Sequence, residues 1–300
     1  MVDFSNIQRA MKRLKGRLNR TEVTPDPKLG EKLETEVCFK WESHQITGAF
    51  KVRGALNTIL SLPEERREAG VVTSSVGNHG LGLSYAAKQA GIPAIVYLPD
   101  YASQKKIAGL RELGAEVRVV DGGYGLAEET GIRLAEDKGV VFISPYNHPD
   151  VIAGQGTVTL EWLEQTLNLD TVMLPVGGGG LSSGIGLALK VLRPASHLFG
   201  VQAEGLAFLH EYWHGRDMDA VEVRPNLAEG LSGRVDPQSI TLPLVRWLFD
   251  DFLLVNDDKI ARAVAYCYEA YGEIVEGATA VGFAALLAGK VENLGARWAC

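Results

Sequence analysis

Between residues 70 and 203, short runs of Val, Ile, Leu and Ala alternate with stretches of helical periodicity, and nothing else in the chain limits its fold as strongly. Gly70 to Ser74 reads as a strand and Asn78 to Ala90 as a helix. Ala94 to Leu98 is a second strand, and Ser103 caps a helix running to Leu113. Ala115 to Val120, a helix over Leu126 to Lys138, and Val140 to Ser144 continue the pattern. After His148 it resumes with helix Ile152 to Gln165, strand Thr171 to Val176, helix Leu181 to Val191 and strand His197 to Ala203. Strands this uniformly apolar are buried on both faces, so the pattern predicts a largely parallel sheet covered by helices, an α/β fold. Asp257 to Tyr271 and Ala278 to Leu287 read as consecutive helices, and Pro145 to Asp150 is the best candidate for a domain crossing.

A chain of 300 residues can form one long domain or two intimate ones. Its net charge of −7 works against a nucleic-acid surface. The one basic cluster, Lys12, Arg13, Lys15, Arg17 and Arg20, lies beside Ile7, Met11, Leu14 and Leu18 at helical spacing, which predicts an amphipathic docking helix. Asp3 and the lack of a cleavage-like segment argue against a transit peptide, and no apolar core of a signal peptide follows the start. No uninterrupted apolar run reaches the ~18 residues of a membrane span. Cys38, Cys267 and Cys300 form neither a disulfide framework nor a paired metal motif, so idle thiols in a reducing cytosol are expected.

Three segments carry chemistry. In Thr47-Gly48-Ala49-Phe50-Lys51-Val52-Arg53, a lysine stands among apolar neighbours at the start of a helix. Such an amine is either a surface cation or, if desolvated, a nucleophile toward an aldehyde. Ser74-Ser75-Val76-Gly77-Asn78-His79-Gly80 joins a strand to a helix, where unpaired backbone N–H groups suit a carboxylate or phosphate. An ordinary turn with Asn78 capping the helix explains it equally well. The strongest signal is Gly177-Gly178-Gly179-Gly180-Leu181, which follows a strand directly. Four consecutive glycines lose much backbone entropy on folding and make sense where bare amides close around an anion. A dinucleotide fingerprint fails, because Ser182 or Ser183 stands where its sixth-position glycine would be.

His210-Glu211-Tyr212-Trp213-His214 matches HExxH, a zinc motif when it lies on a helix. Gly215 follows at once and no histidine lies beyond His214, although Glu222 or Glu229 would be carboxylate candidates for a third ligand. A surface helix is the simpler expectation.

Taken together, these residues resemble the fold-type II pyridoxal-phosphate enzymes, in their threonine/serine dehydratase and serine racemase branch. The resemblance rests on Glu42 to Lys51, Ser75 to Gly80, Gly91-Ile92-Pro93 with Pro99, Gly114 to Val117, Ile152 to Thr157 and Gly177 to Leu181, in that order. It implies a tryptophan synthase β-like, two-domain α/β fold of largely parallel sheets with helices on both faces. Residues 1–68 and 148–300 would form the larger, cofactor-binding domain and residues 69–147 a smaller inserted one.

For the site, the resemblance implies pyridoxal 5'-phosphate as cofactor, with Lys51 as its Schiff-base lysine, Phe50 beside the ring and Asn78 on the phenolic oxygen. Amides of Gly177, Gly178, Gly179, Gly180 and Leu181 would hold the phosphate. Gly230 and Glu276 match positions near the ring, and Ser75, Asn78 and His79 would receive the substrate carboxylate. The implied activity is that of an ammonia-lyase converting a β-hydroxy amino acid to a 2-oxo acid and ammonia. An amino-acid racemase is the alternative and a zinc hydrolase at residues 210–214 a remote one. A cytoplasmic homodimer acting on small molecules, with neither nucleic acid nor membrane as partner, completes the expectation.

Three departures from the family pattern stand out. Val76 occupies the place of the second serine typical of serine racemases. Gln202, read as following a strand that ends at Val201, and Phe208 stand where metal-binding members carry ligands, so no ion site is expected. A Ser-Gly-Gly-Asn-like turn that meets the pyridine nitrogen usually follows beyond the point where this sequence ends, at Cys300. No C-terminal regulatory domain is expected, and with it no feedback inhibition of the biosynthetic kind.

Overall fold

The βα alternation read from residue 70 onward is realised element by element in the computed structural model, which describes residues 2–75, 77–166, 169–290 and 297–299. Val76 and Cys300 lie outside the described residues. The chain begins with α1 (Phe4–Leu14), β1 (Val23–Pro25), α2 (Pro27–Leu33) and β2 (Glu36–Lys40). Helices α3 (Lys51–Ser61) and α4 (Glu64–Glu68) precede β3 (Val71–Ser74), α5 (Asn78–Ala90) and β4 (Ala94–Pro99). Next come α6 (Gln104–Glu112), β5 (Glu116–Val120), α7 (Tyr124–Lys138), β6 (Val141–Phe142) and α8 (Pro149–Leu163). Then follow β7 (Thr171–Pro175), α9 (Gly180–Leu192), β8 (His197–Ala203) and α10 (Phe208–Trp213). The last elements are α11 (Thr241–Leu248), β9 (Asp251–Val255), α12 (Asp257–Tyr271), α13 (Gly277–Leu287) and β10 (Arg297–Ala299).

By packing, the chain divides into two units, Met1–Arg20 with Glu42–Thr157, and Thr21–Trp41 with Val158–Cys300. The first holds a parallel four-stranded sheet in the order β5-β4-β3-β6. On one face Val71, Val96 and Leu98 pack with Leu56, Ile59, Leu83 and Ala86 from α3 and α5. On the other, Val72 and Tyr97 pack with Ala127 of α7. Burying a side chain of this size contributes roughly 1.5–3 kcal/mol, and helices on both faces let every β3 residue be buried. The edge strand β5 is the polar exception, and Glu116 and Arg118 pair along it, blunting the edge.

Packing groups residues 1–20, 42–68 and 148–157 with the segment 69–147, whereas the sequence pattern put them in the larger domain. The cause is the approach of α3 to α5. A Cβ on Gly82 would lie 2.9 Å from the Val52 nitrogen, so only glycine allows this backbone contact. Asn57 on α3 also donates to the Asp150 carbonyl at 2.7 Å. Arg53, 2% exposed, forms a two-pronged pair with Glu42, Nε and Nη2 each 2.7 Å from a carboxylate oxygen. Helix α1 docks through buried Ile7, Ala10 and Leu14, its start fixed by an Asp3–Asn6 capping box. It stops at Leu14, short of Leu18, because the chain leaves the helix at Lys15 (ψ 124°) and turns at Gly16 (φ +73°).

The second unit holds a six-stranded sheet in the order β1-β2-β10-β7-β8-β9, parallel except for the β1–β2 pair. Val37, Phe39, Met173, Phe199, Val201 and Val255 of this sheet pack with Ile260, Ala263, Val281 and Phe283 from α12 and α13. Lys40 is buried yet satisfied, donating to the Thr21 carbonyl (2.7 Å), Glu161 (2.6 Å) and Gln165 (2.9 Å). Cys38 and Cys267 are free thiols, pushed up by burial to about 11 and about 12. No described helix is long and apolar enough to cross a membrane.

Candidate active site

In the first unit Lys51 opens α3, with Phe50 at the N-cap. Its amine donates to the Pro145 carbonyl at 3.0 Å and lies 5.3 Å from the Phe50 ring centroid. Burial disfavours the ammonium form and lowers its pKa to about 8. Ser75 follows β3, and its hydroxyl accepts from the Gly77 amide at 3.2 Å. Asn78 and His79 are the first two residues of α5.

His79 is 2% exposed, and its Nε2 lies 3.0 Å from the Ile143 carbonyl. A carbonyl can only accept, so Nε2 carries the hydrogen and Nδ1 is left as an acceptor. That Nδ1 is buried with no hydrogen-bond partner among the described residues, as is the Ser74 hydroxyl. Burial first, then the positive Lys51, pushes His79 down to about 3, so the ring is neutral. Tyr124, which the sequence reading did not single out, donates to the Ser74 carbonyl at 3.2 Å, its phenol pushed up by burial.

In the second unit the four glycines lie between β7 and α9, as the strand-to-helix spacing implied. Gly179 has φ +87°, and a Cβ there would sit 3.1 Å from Thr241 Cβ, so it is conformationally and sterically required. Its carbonyl accepts from the Ser183 amide at 2.8 Å and from the Ser182 hydroxyl at 3.2 Å. The Gly178 carbonyl accepts from Thr241 Oγ1 at 2.8 Å. None of the backbone N–H groups of residues 177–182 has an acceptor among the described residues. A Cβ on Gly177 would lie 3.4 Å from Leu231 Cα, and one on Gly230 would lie 3.5 Å from a Glu276 carboxylate oxygen. Gly230 and Glu276 are therefore neighbours, and Leu231, next to Gly230, borders the glycine loop.

Each unit's residues fit part of a pyridoxal phosphate. A row of unpaired amides at a helix start is a donor set for a phosphate. A desolvated lysine amine suits an aldehyde carbon. Tyr124, Thr241 and the orphaned Ser183 hydroxyl had no local signal in the sequence, because each acquires its role through a partner distant along the chain or through burial.

The HExxH segment takes another form. Helix α10 is six residues long and ends before His214. His210 Nδ1 is 2.8 Å from Glu211, whose carboxylate also pairs with Arg216 and is held down at about 2, chiefly by that guanidinium. Gln202 is buried inside the fold, its amide donating to the Val176 carbonyl and accepting from the His210 amide. Strand β8 runs to Ala203, so Glu204, not Gln202, is the residue that follows it. Among the described residues no three His, Cys, Asp or Glu side chains are grouped to hold a metal ion.

The family model described as "Pyridoxal-phosphate dependent enzyme" matches residues 14–297. An L-threonine ammonia-lyase from Thermotoga maritima is 39% identical over 96% of this chain and 71% of its own length. One from Geobacter sulfurreducens is 36% identical over 100% of this chain and 74% of its own. The solved structure of maize serine racemase superposes with a TM-score of 0.91 at 33% identity, covering 99% of this chain and 93% of that one. The glycine loop and the buried lysine thus stand in a chain whose kinship extends over nearly its whole length, and the protein belongs to the pyridoxal-phosphate-dependent enzymes of fold type II.

Proposed function

We propose that this protein dehydrates and deaminates a β-hydroxy amino acid of the threonine/serine type, releasing a 2-oxo acid and ammonia. The observation that carries the reading is the buried Lys51 amine, with a pKa lowered to about 8 and a backbone carbonyl aligning it. Lys51 is the covalent anchor of the cofactor, flanked by Phe50. Asn78 serves the cofactor's phenolic oxygen, amides of Gly177 to Leu181 its phosphate, and Gly230 and Glu276 its ring. Ser75, Asn78 and His79 receive the substrate carboxylate, His79 through its backbone N–H at the start of α5, because its neutral ring has only an acceptor to offer. In this assignment residues 1–68 and 148–300 are the larger, cofactor-binding domain and residues 69–147 the smaller inserted one.

The bound cofactor supplies an electron sink for the charge left at Cα when its proton departs. Lys51 Nζ would take that proton, for which a desolvated amine with a pKa lowered to about 8 is suited. The neutral His79 ring offers an acceptor rather than a second positive charge beside Lys51. The Cα–H and Cβ–OH bonds break and water leaves. The resulting enamine takes water back and releases ammonia, so the conversion needs no oxidant. We assign the enzyme to the cytosol, where its free thiols persist, and expect a homodimer.

The test is release of 2-oxo acid and ammonia from threonine, serine, 3-hydroxyaspartate and phenylserine, with Lys51→Ala alongside. Release by the wild type alone supports the reading and identifies the side chain. Exchange of the Cα hydrogen without 2-oxo acid would replace it with racemisation.

A further inference from the structure

We propose that Thr241 and Ser239 are positioning residues for the cofactor's phosphate, forming a directional hydroxyl relay that orients and polarises the Gly178–Gly179 peptide. The inference rests on the assignment of the glycine loop as the phosphate site. Ser239 and Thr241 are 3% and 0% exposed, and their hydroxyl oxygens are 2.7 Å apart. Thr241 Oγ1 is also 2.8 Å from the Gly178 carbonyl oxygen, which has no hydrogen to give. The single threonine hydroxyl hydrogen is therefore committed to Gly178, and Ser239 must be the donor to Thr241. The Ser239 oxygen in turn accepts from the Thr241 amide at 3.2 Å. Every hydrogen in the chain from Ser239 through Thr241 to Gly178 then points one way, the arrangement in which successive hydrogen bonds strengthen one another.

The consequence falls on Gly179. No cis peptide is present among the described residues, so the Gly179 N–H points opposite to the Gly178 carbonyl. Holding that carbonyl against Thr241 turns the N–H away from Thr241 and draws electron density from it, which makes it a better donor to an anion. The next peptide is held in the same manner, its carbonyl taken by the Ser183 amide and the Ser182 hydroxyl. Two consecutive amides are thus fixed before any phosphate arrives, and the ordering cost that a run of glycines would otherwise levy on binding is met by folding.

The experiment compares the dissociation constants of pyridoxal 5'-phosphate and of pyridoxal, which lacks the phosphate, in wild type, Thr241→Val, Thr241→Ser, Ser239→Ala and Gly179→Ala. Thr241→Val is expected to weaken the phosphorylated ligand about tenfold, the loss of one hydrogen bond near a charged group, with pyridoxal unchanged. Thr241→Ser restores the phosphate preference, and Ser239→Ala reduces it by a smaller factor. An equal loss for both ligands, or a Thr241→Ser variant as poor as Thr241→Val, would overturn the relay. Should Thr241→Val fail to fold, Ser239→Ala with unchanged phosphate preference overturns it as well. A wild type with no preference for the phosphorylated ligand, and no competition from inorganic phosphate, would sink the loop assignment itself. Preference lost in Gly179→Ala and retained in Thr241→Val would sink the relay alone.

Discussion

Lys51 and His79 are tied to the same short stretch of chain, Lys51 donating to the Pro145 carbonyl and His79 to the Ile143 carbonyl, each at 3.0 Å. Helices α3 and α5 thereby present an amine and an imidazole in fixed orientation beside one segment. Both groups are desolvated, and each is pushed toward its neutral form.

The lysine makes the stability of the cofactor-free protein depend on pH. Its folded pKa of about 8 lies below the ordinary 10.5, so between these values the unfolded chain binds the extra proton. The lysine's contribution to stability therefore rises with pH across that window, by up to about 3 kcal/mol. The difference in urea-unfolding free energy between wild type and Lys51→Met should shift in favour of the wild type from pH 7.5 to about 10.5, a comparison from which the buried Cys38 and Cys267, acting in the opposite direction above about 9, cancel.

His79 acts in the acid range. Its folded pKa of about 3 lies below the ordinary 6.5, so stability falls as pH drops from about 6.5 toward 3. His79→Gln, which retains a donor for Ile143, should lessen the acid sensitivity. Melting temperatures of the two proteins from pH 7 to 4 check this; parallel curves would contradict it.

Gly179 has no tolerance for a side chain. At φ +87° an L-residue carries about 1–2 kcal/mol of backbone strain, and the added methyl would press on Thr241 and Leu209. Gly179→Ala should weaken pyridoxal 5'-phosphate binding at least about tenfold, measured by titration of the cofactor-free protein.

The Glu42–Arg53 pair anchors α3, two residues from Lys51, and Arg53 is buried. Removing one charge strands the other, a loss of about 3–5 kcal/mol. Glu42→Gln should lower the free energy of urea unfolding by that amount, read as a lower midpoint with an unchanged slope, and a change under about 1 kcal/mol would show the pair to be solvated.

Local pattern determined much of this molecule. The period of apolar residues from Val71 to Ala203 is a property of neighbours in sequence, and each repeat formed within a few residues of its expected bounds. The four glycines after Thr171 to Val176 carried the phosphate-loop reading because their unusual backbone freedom is visible without any partner. Strands β1, β2 and β9 went unread, since three to five residues with mixed burial carry little periodicity.

Tertiary structure alone decided the rest. The grouping of α3 with the segment 69–147 depends on Gly82 meeting the Val52 backbone, a contact between helices. That Lys51 is desolvated and not a surface cation, and that His79 is neutral with a defined tautomer, follows from burial and from carbonyls at 143 and 145. Thr241 reaches Gly178 across 63 positions of sequence. Periodicity reports which face of an element is apolar, whereas the state of a proton or the direction of a peptide is set by whatever packs against that face.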